Sequence, residues 1–292
     1  MKKTFKYQVL SIRYQVILLA TCYLLPATCS AQNNNKAYFS HDVGILLGAS
    51  YYIGDLNSKN FYMSQPAFGI FYRFNYNYRV AFRGGFNYGN IQGDDSQSSD
   101  PYQIERNLNF KTKIMELYTQ AEFNFWEYKT GHKDFIFAPY VFLGIGVFNF
   151  NPEAHVGTQW VDLRGLSTEG QGTPLNPSQK PYKLTQPSIP FGIGFKLTLS
   201  QQIGLGFEWG PRKTFTDYLD DVSGKYVDPA KLAEYKGSLA AQLSNRTKTP
   251  GATTDDIGKL RGNPDTKDWY FYYGLVISFK LKGKPKECKG SF

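Results

Sequence analysis

Apolar and polar residues alternate along most of this 292-residue chain. A period of two, bounded by Gly, Asn, Asp and Pro, predicts β-strands rather than helices. Eight such segments fall near residues 42–53, 66–76, 79–91, 112–125, 135–149, 189–199, 202–213 and 268–281. In the first, Val43, Ile45, Leu47, Ala49, Tyr51 and Ile53 share one face, and Asp42, Gly44, Gly48 and Ser50 share the other. The third sets Val80, Phe82, Phe86 and Tyr88 against Arg83, Gly85, Asn87 and Gly89. The seventh sets Ile203, Leu205, Phe207 and Trp209 against Gln202, Gly204, Gly206 and Glu208. Apolar faces recur in the sixth (Phe191, Ile193, Phe195, Leu197) and the eighth (Trp269, Phe271, Tyr273, Leu275, Ile277, Phe279). Each segment is long enough to cross a bilayer at a tilt, and an even number of strands closes a bacterial barrel.

The connections alternate between two lengths. Asn77 and Tyr78 make one tight turn, Ser200 and Gln201 another, and the stretch around Lys129, Thr130 and Gly131 a third. Between them run long polar segments, 54–65, 92–111, 150–188 and 214–267. Short turns on one rim and long loops on the other mark an outer-membrane barrel, with both termini on the periplasmic, short-turn side. Within 214–267, Asp228 and Pro229 followed by Leu232, Tyr235, Leu239 and Leu243 predict one capped amphipathic helix lying over the barrel mouth. The 150–188 segment, with Pro152, Pro174, Pro177, Pro181 and Pro187, reads as irregular.

Composition sharpens this picture. The mean hydropathy is −0.41, and beyond the N-terminus the longest nearly apolar run is about Tyr140 to Phe150, too short for a transmembrane helix. Only a closed barrel is then left to span a membrane. The 22 Tyr, 23 Phe and 28 Gly suit strands whose faces must follow a tight curve. The expected fold is therefore all-β, a transmembrane barrel of about eight antiparallel strands with long extracellular loops and outer-membrane lipids around it.

Charge separates this from a soluble barrel, which needs Lys, Glu and Asp all over its outside. Here the polar faces carry mainly Gly, Ser, Asn, Thr and Gln, with Arg73, Arg83 and Lys196 set against Glu116, Glu122 and Glu208. Such a balance is expected to pair inside a narrow lumen, where a lone charge costs several kcal/mol. Tyr51, Tyr52, Tyr76, Tyr78, Trp126, Trp209 and Trp269 fall at strand ends and suit interfacial girdles.

At the N-terminus Lys2, Lys3, Lys6 and Arg13 precede an apolar run, Val16 to Leu25, and the small-residue stretch TCSAQ. This pattern predicts a signal peptide over 1–31, cut after Ala31, leaving 32–292 as the barrel. Lipidation of Cys29 is the competing reading, disfavoured by Thr28 where a small Ala or Gly is normal. Removing the four leader cations takes the net charge from +9 to +5. Much of that lies in Lys280, Lys282, Lys284, Lys286 and Lys289, so residues 283–292 read as a solvated basic tail. No interleaving of Arg with aromatics suggests nucleic acid. Cys22 and Cys29 leave with the leader, so Cys288 has no partner for an intrachain disulfide.

Catalytic chemistry is not legible. His41, His132 and His155 have no second His at ligand spacing, so structural or solvent-facing roles and no metal are expected. The Gly pairs 144/146, 192/194 and 204/206 sit mid-strand with no helix after them, and read as small lumen residues. Asp94–Asp95, Asp220–Asp221 and Asp255–Asp256 lack the ring of oxygens that calcium needs and read as solvated loop charge. Without a GxSxG or an assembled Ser/His/Asp set, neither an enzyme nor a cofactor is expected.

The stretch HDVGILLGASYYIGDLN (His41 to Asn57) resembles the first strand and loop of a family of outer-membrane barrels from Bacteroidota, the DUF6089 group. The resemblance runs on loosely through Phe68 to Ile91 and Trp269 to Lys282, and GDLN (Gly54 to Asn57) is its most specific part. It implies a non-enzymatic, PorG-like role in type IX protein secretion. The barrel would anchor a periplasmic ring made of a lipoprotein and its partner. Under that reading the periplasmic contacts are Lys129, Lys133, Lys284 and Lys286. The competing expectation is an OmpA- or OmpW-like barrel whose extracellular loops bind a ligand or a surface. A water channel is disfavoured, because eight strands leave no room for one.

Overall fold

The computed structural model describes residues 39–249 and 252–281. The expected signal peptide, Cys29, Cys288 and the basic tail with Lys284 and Lys286 lie outside the described residues.

Alternating β-branched and aromatic residues form eight long strands: β1 (Ser40–Ile53), β2 (Gln65–Asn75), β3 (Val80–Asp94), β4 (Asn109–Asn124), β5 (Phe137–Asn149), β8 (Thr185–Thr198), β9 (Ile203–Thr214) and β10 (Trp269–Lys280). A short hairpin, β6 (Pro152–Val156) and β7 (Gln159–Asp162), lies between β5 and β8. Chain neighbours among the eight pair antiparallel all the way round. The ring then shuts where β1 meets β10, from Asp42↔Lys280 to Ile53↔Trp269. It is a closed eight-stranded barrel with no free edge in its wall.

The wall is taller than a bilayer requires. The 15 residues of β3 extend roughly 50 Å at about 3.3 Å each, whereas about 9–11 suffice to cross at a tilt. The surplus rises on the long-loop side. There β6 continues the line of β5 after a break at Phe150 and Asn151, pairing with β4 through Lys111↔Glu153 and Thr112↔Pro152. The 150–188 segment is thus not wholly irregular as its prolines suggest. Pro152 opens β6, a strand-start position where its missing N–H does no harm.

The two faces of the wall differ in kind. Outward-pointing Leu47, Ile70, Leu117, Leu143, Ile145, Ile193 and Leu275 are all exposed, an apolar belt that only hydrocarbon would cover. Inward, Tyr52, Ile91, Phe110, Ile114, Phe148, Tyr270 and Tyr272 make an aromatic core in the extracellular half, and Leu46, Phe71 and Val276 make a smaller one. Tyr52 therefore belongs to the lumen and not to an interfacial girdle, because it shares the parity of Asp42 and Ser50 on β1.

Two features of the loops depart from their sequence pattern. Residues 101–106 form a helix, α1 (Pro101–Arg106), capped by the Asp100 carboxylate, in a segment read only as polar loop. The single helix expected after Asp228 is two, α2 (Pro229–Lys236) and α3 (Ser238–Ser244). Gly237, at φ 91°, breaks it, a backbone angle that glycine adopts without strain. Leu232 and Leu243 are buried, but Tyr235 points to solvent.

Candidate functional site: a sealed lumen beneath an ordered cap

The inward face of the barrel holds four basic and four acidic side chains, each no more than 5 % exposed. Glu122 on β4 gathers three cations: Arg73 Nε at 2.9 Å, Arg83 Nε at 3.1 Å and Lys196 Nζ at 2.6 Å. Glu208 on β9 takes Arg83 Nη2 at 2.6 Å and a hydrogen bond from the Tyr140 hydroxyl, also 2.6 Å. Glu116 faces Arg212 Nε at 3.4 Å and accepts from Tyr270 Oη at 2.9 Å and Asn87 Nδ2 at 2.8 Å. Asp42 lies 3.9 Å from Arg73. The Phe71 ring packs against two guanidinium groups, 4.9 Å from Arg73 and 5.0 Å from Arg83, an attraction that strengthens when desolvated.

The six lumen charges named from the sequence line the bore together with Arg212 and Asp42, in two groups: one linked through Glu122 and Arg83, the other the Glu116–Arg212 pair further along β4. Arg212 shares the parity of Glu208 along β9, and Asp42 that of Gly44 along β1, so alternation alone marks both as inward. Cross-linked side chains fill the bore, as the narrow interior of an eight-stranded barrel allows.

Above these charges, the long connections fold into one cap. Arg106 of α1 donates twice to Asp95 at 2.8 Å, once to the Arg261 carbonyl at 2.7 Å and once to the Asp55 carbonyl at 2.9 Å. Glu169, from the 150–188 connection, accepts from the Ser223 and Gly224 amides at 2.9 and 3.0 Å and pairs with Arg261 at 3.1 Å. Asp221 accepts from Thr168 at 2.5 Å and Tyr182 at 2.7 Å. Burial pushes the Asp221 carboxyl up to about 6 against the opposing pull of Arg261 and those two donors. Leu219 and Val222 descend into the aromatic core beside Phe110, Tyr270 and Tyr272, so the entry of the 214–267 loop plugs the barrel mouth.

The acidic pairs are therefore not all solvated. Asp95, Asp220 and Asp221 are buried: Asp95 is held by Arg106 within its own connection, and the partners of Asp220 and Asp221 include Tyr52, Thr168 and Tyr182 from elements distant in sequence. Asp256, by contrast, stays near the surface and holds Lys259 at 3.1 Å. Between α1 and the 225–226 and 256–263 stretches the cap leaves a cavity of about 1120 Å³, with Asp55, Tyr102, Glu105, Lys225, Asp256 and Lys259 among its walls.

The histidines stay apart. His41 contacts the Tyr72 hydroxyl, His132 lies near Asp134 in the β4–β5 connection, and His155 packs on Trp160. Among the described residues no three His, Cys, Asp or Glu side chains gather in a group able to hold a metal ion. Lys129 and Lys133 both lie in the β4–β5 connection, Lys129 half-buried and Lys133 exposed.

The family model for DUF6089, a domain of unknown function, matches residues 21–236. The chain belongs to the DUF6089 family. The matched span covers β1 to α2 of this DUF6089 barrel, and β10, which closes the ring, lies beyond it. No curated protein matches the chain. Comparison with solved structures finds partial likenesses. One is Ail, the attachment invasion locus protein of Yersinia pestis, in complex with the heparin analogue sucrose octasulfate, at 10% identity, 85% of this chain, 100% of that chain and a TM-score of 0.38. Another is OprG of Pseudomonas aeruginosa, at 9% identity, 85% and 99% coverage and a TM-score of 0.40. Neisserial surface protein A is a third, at 7% identity, 85% and 100% coverage and a TM-score of 0.35.

Proposed function

We propose that this outer-membrane barrel is a recognition protein, whose lumen is a structural core and whose extracellular cap binds a ligand or a surface. The observation that carries the reading is the contrast between the two halves of the molecule. Inside the wall, Glu122, Glu208 and Glu116 spend their charge on Arg73, Arg83, Lys196 and Arg212, which leaves nothing to conduct or transform a solute. Outside it, four separate connections are tied together by Arg106, Arg261 and Glu169 around a large cavity with charged side chains in its walls. Loops held this rigidly lose little entropy on binding.

The test replaces residues 225–262 with a short Gly-Ser linker, keeping the plug and all eight strands. Cells carrying this variant should lose adhesion or ligand binding, while the barrel still migrates as a folded species in unheated gels. Unchanged binding by the variant overturns the reading.

A second reading is the anchoring role in type IX secretion in a Bacteroidota-like outer membrane. What favours it is the resemblance carried by His41 to Asn57 and the position of Lys129 and Lys133 on the short-turn rim, where a periplasmic ring would approach. Lys133→Glu combined with Lys129→Glu should then weaken co-purification of the ring and lower secretion, with the cap deletion harmless to both. Intact secretion and co-purification in the double variant would remove that assignment.

A further inference from the structure

At the foot of the cap three side chains meet in an arrangement that a count of hydrogens explains. Tyr52, on the inner face of β1, donates its hydroxyl hydrogen to Asp220 Oδ2 and also lies 3.2 Å from Asp268 Oδ1. A tyrosine hydroxyl carries one hydrogen. Three oxygens joined by two hydrogen bonds need two. The outer oxygens of the pair are already supplied, since Asp220 Oδ1 accepts from the Val222 amide and Asp268 Oδ2 from the Leu219 amide, each at 2.9 Å. Neither amide can fill the gap between the carboxylates and the hydroxyl.

No cation fills it either. Arg106, whose charge acts on Asp220, is committed to Asp95, and Arg261 to Glu169. Lys267, which faces Asp217, donates to the Pro264 carbonyl. The remaining charged neighbours are acidic: Asp217, Asp55 and, further off, Glu169. Asp217 is buried, and its Oδ2 has no hydrogen-bond partner. Among the described residues these carboxylates form no group able to hold a metal ion.

We propose that the cap is latched by a carboxylic proton held within the Tyr52, Asp220 and Asp268 cluster, so that the 214–267 loop seats on the barrel mouth with uptake of a proton and is released as pH rises. The latch grips both ends of that loop. Asp220 lies in its entry, beside the plugging Leu219 and Val222. Asp268 directly follows its last residue, bonded through its amide to the Thr216 carbonyl at 3.1 Å and through its carbonyl to Thr214 Oγ1 at 2.6 Å. Tyr52 belongs to the wall. Losing the proton sets like charges against one another in an aromatic surround, where repulsion is poorly screened.

Burial, and after it the neighbouring acids, raise the carboxyls of Asp220 and Asp268 well above the usual carboxylate range. Asp217 is pushed up to about 6, chiefly by burial. The sign follows from linkage. A carboxyl raised in the closed state contributes stability that is fully present below its open-state value of about 4 and is lost as pH climbs through the closed-state value. Within that window each bound proton weakens closure by up to about tenfold per pH unit. The latch stands whatever ligand the cap takes.

Hydrogen exchange of residues 214–224, read by mass spectrometry on the full barrel in lipid nanodiscs between pH 5 and 9, tests it. Corrected for intrinsic exchange, wild-type protection should fall with rising pH by up to about tenfold per unit. Asp268→Asn should keep the loop protected at pH 9 and flatten the dependence. Infrared spectroscopy of the wild type gives a second readout that no misfolded variant can obscure. A protonated carboxylic C=O band should be present at pH 7 and disappear at the pH where the fall in protection levels off. Absence of that band, protection independent of pH, or restoration of protection at pH 9 by calcium would each overturn the proposal.

Discussion

Arg83 and Glu208 meet 2.6 Å apart in the middle of the barrel, although their strands, β3 and β9, stand four places apart whichever way the ring is followed. The pair spans the full bore. It joins two walls that share no backbone hydrogen bond. Since both groups are buried, removing one takes from the other its shortest charged contact, leaving Arg83 to Glu122 alone or Glu208 to the Tyr140 hydroxyl.

A double-mutant cycle should therefore show strong coupling. Arg83→Met and Glu208→Gln are each expected to destabilise by about 3–5 kcal/mol, and the double variant by less than their sum, with a coupling of about 1–3 kcal/mol. Urea unfolding in lipid vesicles, followed by tryptophan fluorescence, reads both quantities. Additive costs would mean that the pair does not act as a unit.

Glu122 is expected to be the most sensitive charge in the lumen. Three cations converge on it, so Glu122→Gln strands a cluster of like charge, whereas Glu208→Gln leaves Arg83 still beside Glu122. The Glu122 variant should unfold at the lower urea concentration of the two. Equal midpoints would contradict this ranking.

The closing seam makes a steric prediction. A Cβ added at Gly48 would lie 1.9 Å from the Tyr273 carbonyl oxygen and 2.6 Å from the Cα of Gly274 on β10, so side chain and backbone cannot share the space. Gly48→Val is expected to prevent β1 and β10 from zipping. The faster-migrating folded band of an unheated gel should then be lost. Gly165→Ala, with nothing near its Cβ, should leave that band unchanged.

Much of the wall was legible in the sequence, and the reason is local. Membrane strands read one face at a time, so Val43 to Ile53 and Ile203 to Trp209 declare their outward sides by alternation. The same parity places Arg212 beside Glu208 on the inner face, a residue that the count of sequence charges left out. The cap was not legible, because its partners are distant in the chain. Asp95 meets Arg106 across a turn, but Asp220 and Tyr52 are 168 residues apart, and no local pattern marks an aspartate for burial. Gly237 did carry a signal, since a glycine inside a helical pattern is a plausible break. Tyr52 was misplaced in a girdle because aromatic residues at strand ends serve either face, and only parity tells them apart.

The central claim is that the barrel turns its apolar side chains to lipid around a packed, dry interior. Spin labels placed one at a time at residues 141–147 of β5, in reconstituted vesicles, test it most directly by comparing collision with oxygen, which concentrates in hydrocarbon, and with a water-soluble nickel chelate. The account expects a period of two, with high oxygen and low nickel access at 141, 143, 145 and 147 and low access to both at 142, 144 and 146. Nickel reaching the odd positions, as the outside of a water-soluble barrel would allow, would contradict it.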